Sequence, residues 1–92
     1  MNAGPAARRL VVHGQVQGVN FRAVTRRHAE ELGLAGWVAN QADGTVALHA
    51  EGDPEALDAL VDWVHEGPAG SNVERVDVAE VQPEGTTGFA VR

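Results

Sequence analysis

Apolar and polar residues alternate in several short segments of the chain and recur at helical spacing in two longer ones. Alternation bounded by glycine, proline or an Asp-Gly pair predicts β-strands at residues 9–13, 36–41, 46–51, 73–81 and 88–92. Helical spacing predicts one helix over residues 21–32 and a second between Asp53 and Gly67. The order β-α-β-β-α-β with a short terminal strand predicts an α+β fold, the ferredoxin-like α/β sandwich. In that fold an antiparallel sheet carries both helices on one face.

The faces of the helices and one turn can also be assigned from the pattern. Asp43 and Gly44 form an Asp-Gly pair, which favours a tight hairpin between the second and third strands. The apolar positions expected to face the core are Phe21, Val24, His28 and Leu32 in the first helix and Leu57, Leu60, Val61 and Val64 in the second. Both helices are therefore expected to be amphipathic.

The two predicted helices begin with opposite charge. The second begins with Asp53 and Glu55, which suit the positive end of a helix dipole, whereas the first has no acid and carries Arg22 in its first turn. A cation at this position is disfavoured by about 0.3–1 kcal/mol, and the free amides there need an acceptor. An oxyanion bound between Arg22 and the preceding glycine-containing loop would relieve both problems. Two alternatives stay open: Arg22 extends into solvent, and Asn20 caps the helix with its own side chain.

Composition narrows the possible partners. The 92 residues are enough for one domain, predicted at residues 8–92 after a flexible tail at residues 1–7. There is no cysteine, so disulfides and thiolate chemistry are excluded. The formal charge is −6 and all seven basic residues are arginine, which argues against a nucleic-acid partner. The start has no apolar leader and no segment is long enough to span a bilayer, so we expect a cytoplasmic protein with no membrane partner.

The histidines and tryptophans fit structural roles better than chemical ones. His13, His28, His49 and His65 lack the close spacing of metal ligands, and we expect no metal site. Trp37 and Trp63 are expected to pack rather than to stack on a ligand.

Two segments resemble the signatures of the acylphosphatase family. Residues 12–22, V-H-G-Q-V-Q-G-V-N-F-R, are similar to the first signature at every defining position. Residues 36–40, G-W-V-A-N, followed by Gly44, Val46 and Gly52, are similar to the second with the same internal spacing. The similarity extends over nearly the whole chain. Gln41 departs from the family pattern, in which a small hydroxyl residue is frequent, and residues 70–72 are an atypical loop.

The resemblance implies hydrolysis of a small-molecule acyl phosphate to a carboxylate and inorganic phosphate by a monomer without metal or cofactor. Arg22 matches the family's phosphate-binding arginine, and Asn40 matches the asparagine that orients the attacking water. The main-chain amides expected to bind phosphate with Arg22 are those of Gln15, Val16, Gln17, Gly18, Val19 and Asn20.

Alternatives to this reading stay open on the residues alone. An asparagine at a hairpin edge can instead bond its own turn, which is the other interpretation of Asn40. A noncatalytic anion-binding module would keep the same loop without turnover. An RNA-binding domain on this fold would need strand aromatics and a basic sheet, which the central strands do not offer.

Overall fold

The computed structural model describes residues 5–92, and within them two helices pack on one sheet of five strands. The strands are β1 (Ala6–Gln15), β2 (Ala35–Asn40), β3 (Val46–Gly52), β4 (Asn72–Val81) and β5 (Phe89–Val91). The helices are α1 (Phe21–Glu31) and α2 (Pro54–Glu66). The element order and the layers are those predicted from the sequence. No helix within residues 5–92 is both long and apolar enough to cross a membrane.

The sheet is mixed, which corrects the expectation of an antiparallel one. Its order is β4-β1-β3-β2-β5, and all neighbours are antiparallel except β2 and β5, which run parallel. The difference arises because residues 82–88, which we call the 82–88 connector, join one edge of the sheet to the other. β5 then enters beside β2 in the same direction, with Trp37 opposite Ala90.

β1 is longer at both ends than the sequence pattern indicated. It begins at Ala6, and Ala7 is only 2% exposed, so these two residues belong to the sheet rather than to the predicted tail. The first four residues of that tail lie outside the described part of the chain. At the other end a bulge between His13 and Gly14 carries the strand on to Gln15, which lies opposite Asn72 of β4. The extra residue at this bulge is Glu74 of β4, and the chain leaves the sheet after Gln15.

The core lies between the helices and one face of the sheet. Leu10, Leu48 and Leu60 are completely buried there, and burial of each such side chain contributes about 1.5–3 kcal/mol. The positions of α2 predicted to be buried are confirmed at Leu57, Leu60 and Val64, while Val61 is half-buried.

The buried face of α1 differs from the predicted one. Its fully buried residues are Phe21, Thr25 and Ala29, whereas Val24, His28 and Leu32 are half-buried at the margin. Small side chains at 25 and 29 let the helix approach the sheet closely. His28 instead stacks on Trp63 of α2, with the ring centroids 4.2 Å apart.

Candidate functional site

The chain between β1 and α1 forms a short loop, residues 16–20, which we call the 16–20 loop. Gly18 and Asn20 have positive φ angles of 78° and 62°. Asn20 is the only residue other than glycine with positive φ in the described chain, and it immediately precedes α1. These left-handed residues turn the backbone back on itself, which glycine and asparagine allow at least cost.

The loop and the start of α1 present main-chain amides without protein acceptors. Within residues 5–92, the N–H groups of residues 16–20 donate no hydrogen bond to a loop carbonyl or to a side chain. Val24 is the first residue of α1 whose N–H reaches back, to the Asn20 carbonyl at 3.1 Å, so the amides of the first helical turn are unpaired as well. The side chain of Asn20 makes no capping hydrogen bond, which removes the capping alternative.

Gln17 fixes the 16–20 loop to the β2–β3 hairpin. Its side-chain Nε2 donates to the backbone oxygens of Gln41, at 2.8 Å, and Thr45, at 2.9 Å. The sequence analysis did not identify this contact, because the acceptors lie more than 20 residues away and are main-chain atoms. The contact joins the two segments that carried the family resemblance.

Arg22 lies in the first turn of α1 and is half-buried rather than extended into solvent. Its Nη1 donates to the backbone oxygen of Arg92 at 2.7 Å. In residues 5–92 no carboxylate side chain forms an ion pair with its guanidinium. This contact with Arg92 positions one edge of the guanidinium, and its remaining N–H groups can receive an anion.

Asn40 is the last residue of β2 and is exposed. The hairpin turn after it is held by other residues. The N–H and the hydroxyl of Thr45 donate to Oδ1 of Asp43, at 3.0 and 2.6 Å, and the same hydroxyl lies 2.8 Å from Oε1 of Gln41. The same contacts with Thr45 lower the pKa of Asp43, so that carboxyl stays ionised and keeps the turn closed. Among the described residues, the Asn40 side chain has no hydrogen-bond partner in this turn, which removes the interpretation that it bonds the turn.

The 16–20 loop, Arg22 and Asn40 meet at one cavity of about 280 Å³. The residues that line it are Val16, Gly18, Asn20, Phe21, Arg22, Ala23, Asn40 and Val91. Five of the eight predicted site residues are thus brought together. Arg22 is the only ionisable side chain among these eight residues, and its positive charge suits an anion.

Three predicted residues do not line this cavity. Gln15 is paired within the sheet and lines a separate depression beside Asp43 and Glu74. Gln17 turns toward the hairpin, and Val19 packs against the core. The sequence analysis in turn missed Val91, whose contribution depends on the parallel entry of β5.

A second cluster lies on the sheet face opposite the helices. His49 is fully buried, and its Nε2 lies 2.6 Å from Oε2 of Glu51. Burial raises the pKa of Glu51, but hydrogen bonds from His49 and from the amides of Glu84 and Gly85 outweigh burial and hold it below its ordinary value.

This cluster is the one group of residues in 5–92 with the geometry of a metal site. The donor atoms of His49, Glu51 and Glu84 all lie within 4.8 Å of one another. Both oxygens of Glu51 are already bonded to amides, and Arg9 lies 3.3 Å from Glu84. A guanidinium at this distance disfavours binding of a metal cation. The cluster therefore fits a structural role, in which it holds the 82–88 connector against the sheet, better than a metal centre.

Comparison with known proteins gives consistent matches over most of the chain. A family model described as acylphosphatase matches residues 8–91. An acylphosphatase of Nocardioides sp. is 52% identical over 83 residues, which cover 90% of this chain and 84% of that protein. An acylphosphatase of Thermococcus kodakarensis is 50% identical over 89% of this chain and 90% of its own length. The crystal structure of acylphosphatase from Bacillus subtilis superposes with a TM-score of 0.92 at 39% identity, covering 95% of this chain and 98% of that one.

Proposed function

The chain belongs to the acylphosphatase family and hydrolyses acyl phosphates, and we propose that it does so in the cavity at the start of α1, with Arg22 and Asn40 as catalytic residues. The observation that carries the proposal is that Arg22, Asn40 and residues of the 16–20 loop with unpaired amides line one cavity. No other cavity among residues 5–92 combines these three features.

The phosphoryl group is held by Arg22 and by main-chain amides. The amides of Val16, Gly18 and Asn20 belong to residues that line the cavity, and the dipole of α1 adds a partial positive charge at the same place. Binding through the amides of Gln15, Gln17 and Val19 stays a prediction, since those residues do not line the cavity. Amides and a guanidinium suit the equatorial oxygens of a transferring phosphoryl group, because they neutralise charge without moving during the reaction.

Asn40 orients the attacking water. Its side-chain oxygen accepts one hydrogen bond from the water, which aims a lone pair at phosphorus from the side opposite the acyl oxygen. The bond between water oxygen and phosphorus forms while the bond between phosphorus and the acyl oxygen breaks, and the carboxylate leaves with that electron pair. The water proton passes to a phosphoryl oxygen. A carboxylate is a good leaving group, so the reaction needs no general acid from the protein.

We also propose that the enzyme acts as a cytoplasmic monomer without a metal, a nucleic-acid partner or a membrane. All the groups assigned to the reaction come from one chain, and the net charge of −6 disfavours phosphate polymers. Turnover that is unchanged by a chelator would support activity without a metal. Sedimentation of the active sample as a monomer would support the monomeric state. Cell fractionation tests the location.

The test compares Arg22→Ala and Asn40→Ala in two measurements: hydrolysis of a simple aryl acyl phosphate and the Kd for inorganic phosphate. Loss of one transition-state donor costs about 10²–10³ in rate, so Arg22→Ala should lose turnover to that extent. Asn40→Ala should lose about 10² in rate, because the attacking water is no longer aligned with the phosphoryl group. Arg22→Ala should also lose phosphate binding, whereas Asn40→Ala should bind phosphate nearly as the wild type does.

Two matched variants control for general effects. Arg75→Ala removes an exposed arginine of β4, and Asn72→Ala removes an exposed asparagine at the start of the same strand. Both should keep wild-type turnover. Wild-type turnover in Asn40→Ala would refute the role of Asn40, and wild-type phosphate affinity in Arg22→Ala would refute the proposed site. Phosphate binding without hydrolysis in the wild-type protein would indicate the noncatalytic module instead.

A further inference from the structure

The position of the Arg22 guanidinium depends on Arg92, a residue at the edge of the sheet. Among the described residues, the backbone oxygen of Arg92 is its one hydrogen-bond acceptor, at 2.7 Å. Arg92 directly follows β5, a strand of three residues whose Ala90 and Val91 are exposed. So short an edge strand constrains the atoms beyond it weakly, and the place of this oxygen must be secured by further contacts.

Arg92 is held at two points, one on its main chain and one on its side chain. Its backbone N–H donates to the oxygen of Val38 in β2 at 2.8 Å. Its guanidinium lies over the ring of Trp37, with the central carbon 4.7 Å from the ring centroid. Trp37 is on the sheet face opposite the helices, whereas Arg22 is on the helix side. Arg92 therefore links the two sides of the sheet edge.

Trp37 is itself well fixed. Its ring lies 18° from the plane of buried His49, with the centroids 6.1 Å apart. The guanidinium of Arg9 lies 5.0 Å from the centroid of the same ring and forms an ion pair with Glu84 of the 82–88 connector. A tryptophan ring held in this way offers the best face for a cation among the aromatic side chains.

We propose that Trp37 is a positioning residue for Arg22. By stacking on the side chain of Arg92 it holds the backbone oxygen of Arg92 where Nη1 of Arg22 can donate to it, and so orients the rest of the guanidinium toward the phosphoryl group. This inference rests on the proposed function of Arg22. Trp37 does not touch the substrate, and it acts through Arg92 alone.

The test is a double-mutant cycle between Trp37→Leu and Arg92→Leu, read as the Kd for inorganic phosphate and as kcat and KM for an aryl acyl phosphate. Each single change should weaken phosphate binding by about 2- to 5-fold, the range expected for one exposed cation–π contact. In the Arg92→Leu background, Trp37→Leu should cause no further loss. Trp37→Phe retains an aromatic face and should bind phosphate within about 2-fold of the wild type.

A purely structural role of Trp37 would give a different result. Trp37→Leu would then weaken phosphate binding equally with and without the Arg92 side chain, which would overturn the proposal. If Trp37→Leu fails to fold, Arg92→Leu decides alone, since unchanged phosphate affinity in that variant also overturns it. Failure of the proposed function is distinct, because it appears as wild-type phosphate affinity in Arg22→Ala. If this inference fails, phosphate affinity is lost in Arg22→Ala but is unchanged in Trp37→Leu and Arg92→Leu.

Discussion

The side-chain Nε2 of Gln17 lies 2.9 Å from the backbone oxygen of Thr45 and donates a hydrogen bond to it. The same nitrogen donates to Gln41, so one side chain joins the loop before α1 to the hairpin after Asn40. The loop proposed to bind phosphate and the asparagine proposed to orient water come from segments 20 residues apart. The contact of Gln17 joins these segments, so we infer that it aligns them for in-line attack.

We predict that Gln17→Ala lowers kcat/KM by about 10- to 100-fold, because a displacement of the loop by a fraction of an ångström misaligns water and phosphoryl group. The measurement is steady-state hydrolysis of an aryl acyl phosphate. Gln82→Ala, at an exposed position of the 82–88 connector, is the matched control and should keep wild-type kinetics. Equal kcat/KM in the two variants would show that the loop keeps its place without Gln17.

We predict that Gly14→Ala strongly destabilises the fold. Gly14 has φ 129°, and a Cβ there would lie 2.1 Å from the backbone oxygen of Asn72 in β4. The free energy of unfolding should fall by more than the about 1–2 kcal/mol that left-handed backbone alone costs an L-residue. Gly70→Ala is the control, because Gly70 has φ 89° with open space around it and should show only that backbone cost. Urea unfolding measures both, and equal losses would contradict the clash.

We predict that Glu51 stabilises the fold at neutral pH and not in acid. Its folded-state pKa lies below the ordinary value of 4.5, so its contribution is complete above that value and is lost as the pH falls through the lowered folded pKa. Glu51→Gln should therefore be less stable than wild type at pH 7, and the difference should shrink toward pH 3. Thermal unfolding between these pH values measures it. Glu80→Gln, on an exposed part of β4, should show no such pH-dependent difference.

We predict that the rate of hydrolysis depends on pH through the substrate and not through a protein base. The cavity is lined by Arg22 and otherwise by residues that do not ionise, and the arginine stays charged at all moderate pH values. The profile of kcat between pH 5 and 8 should therefore be flat or follow the ionisation of the phosphoryl group. A substrate-independent inflection near neutrality would require a proton acceptor on the protein.

The parts of the fold with strong local signals could be predicted. Asp53 and Pro54 indicated where α2 begins, and the Asp43-Gly44 pair indicated the hairpin, since both depend on the conformational preferences of the residues themselves. The direction of β5 was predicted wrongly, because a three-residue strand carries no local information about its neighbour. The prediction of the buried face of α1 was also wrong. Hydrophobicity alone ranks Val24 above Ala29, although close packing against the sheet favours the smaller residue.

In the candidate site, too, some residues could be predicted from the sequence and some contacts could not. Arg22 and Asn40 could be proposed as site residues because the family signatures include them, and the lack of an acid in the first turn of α1 favoured an anion site independently. The contacts that the side chains of Gln17 and Arg22 make could not be assigned in advance, because each donates to a main-chain oxygen of a distant segment. A main-chain acceptor places no requirement on the type of residue that carries it.

The internal position of β1 in the sheet has a consequence for the speed of folding. The first strand of the chain lies between β3 and β4, and Ala7 pairs with Val81. The entropy of closing so long a loop is lost before the sheet gains the pairing, which places refolding in the millisecond-to-second range rather than among microsecond folders. Until β4 arrives, one edge of β1 is open to other chains, so refolding at high protein concentration should compete with aggregation.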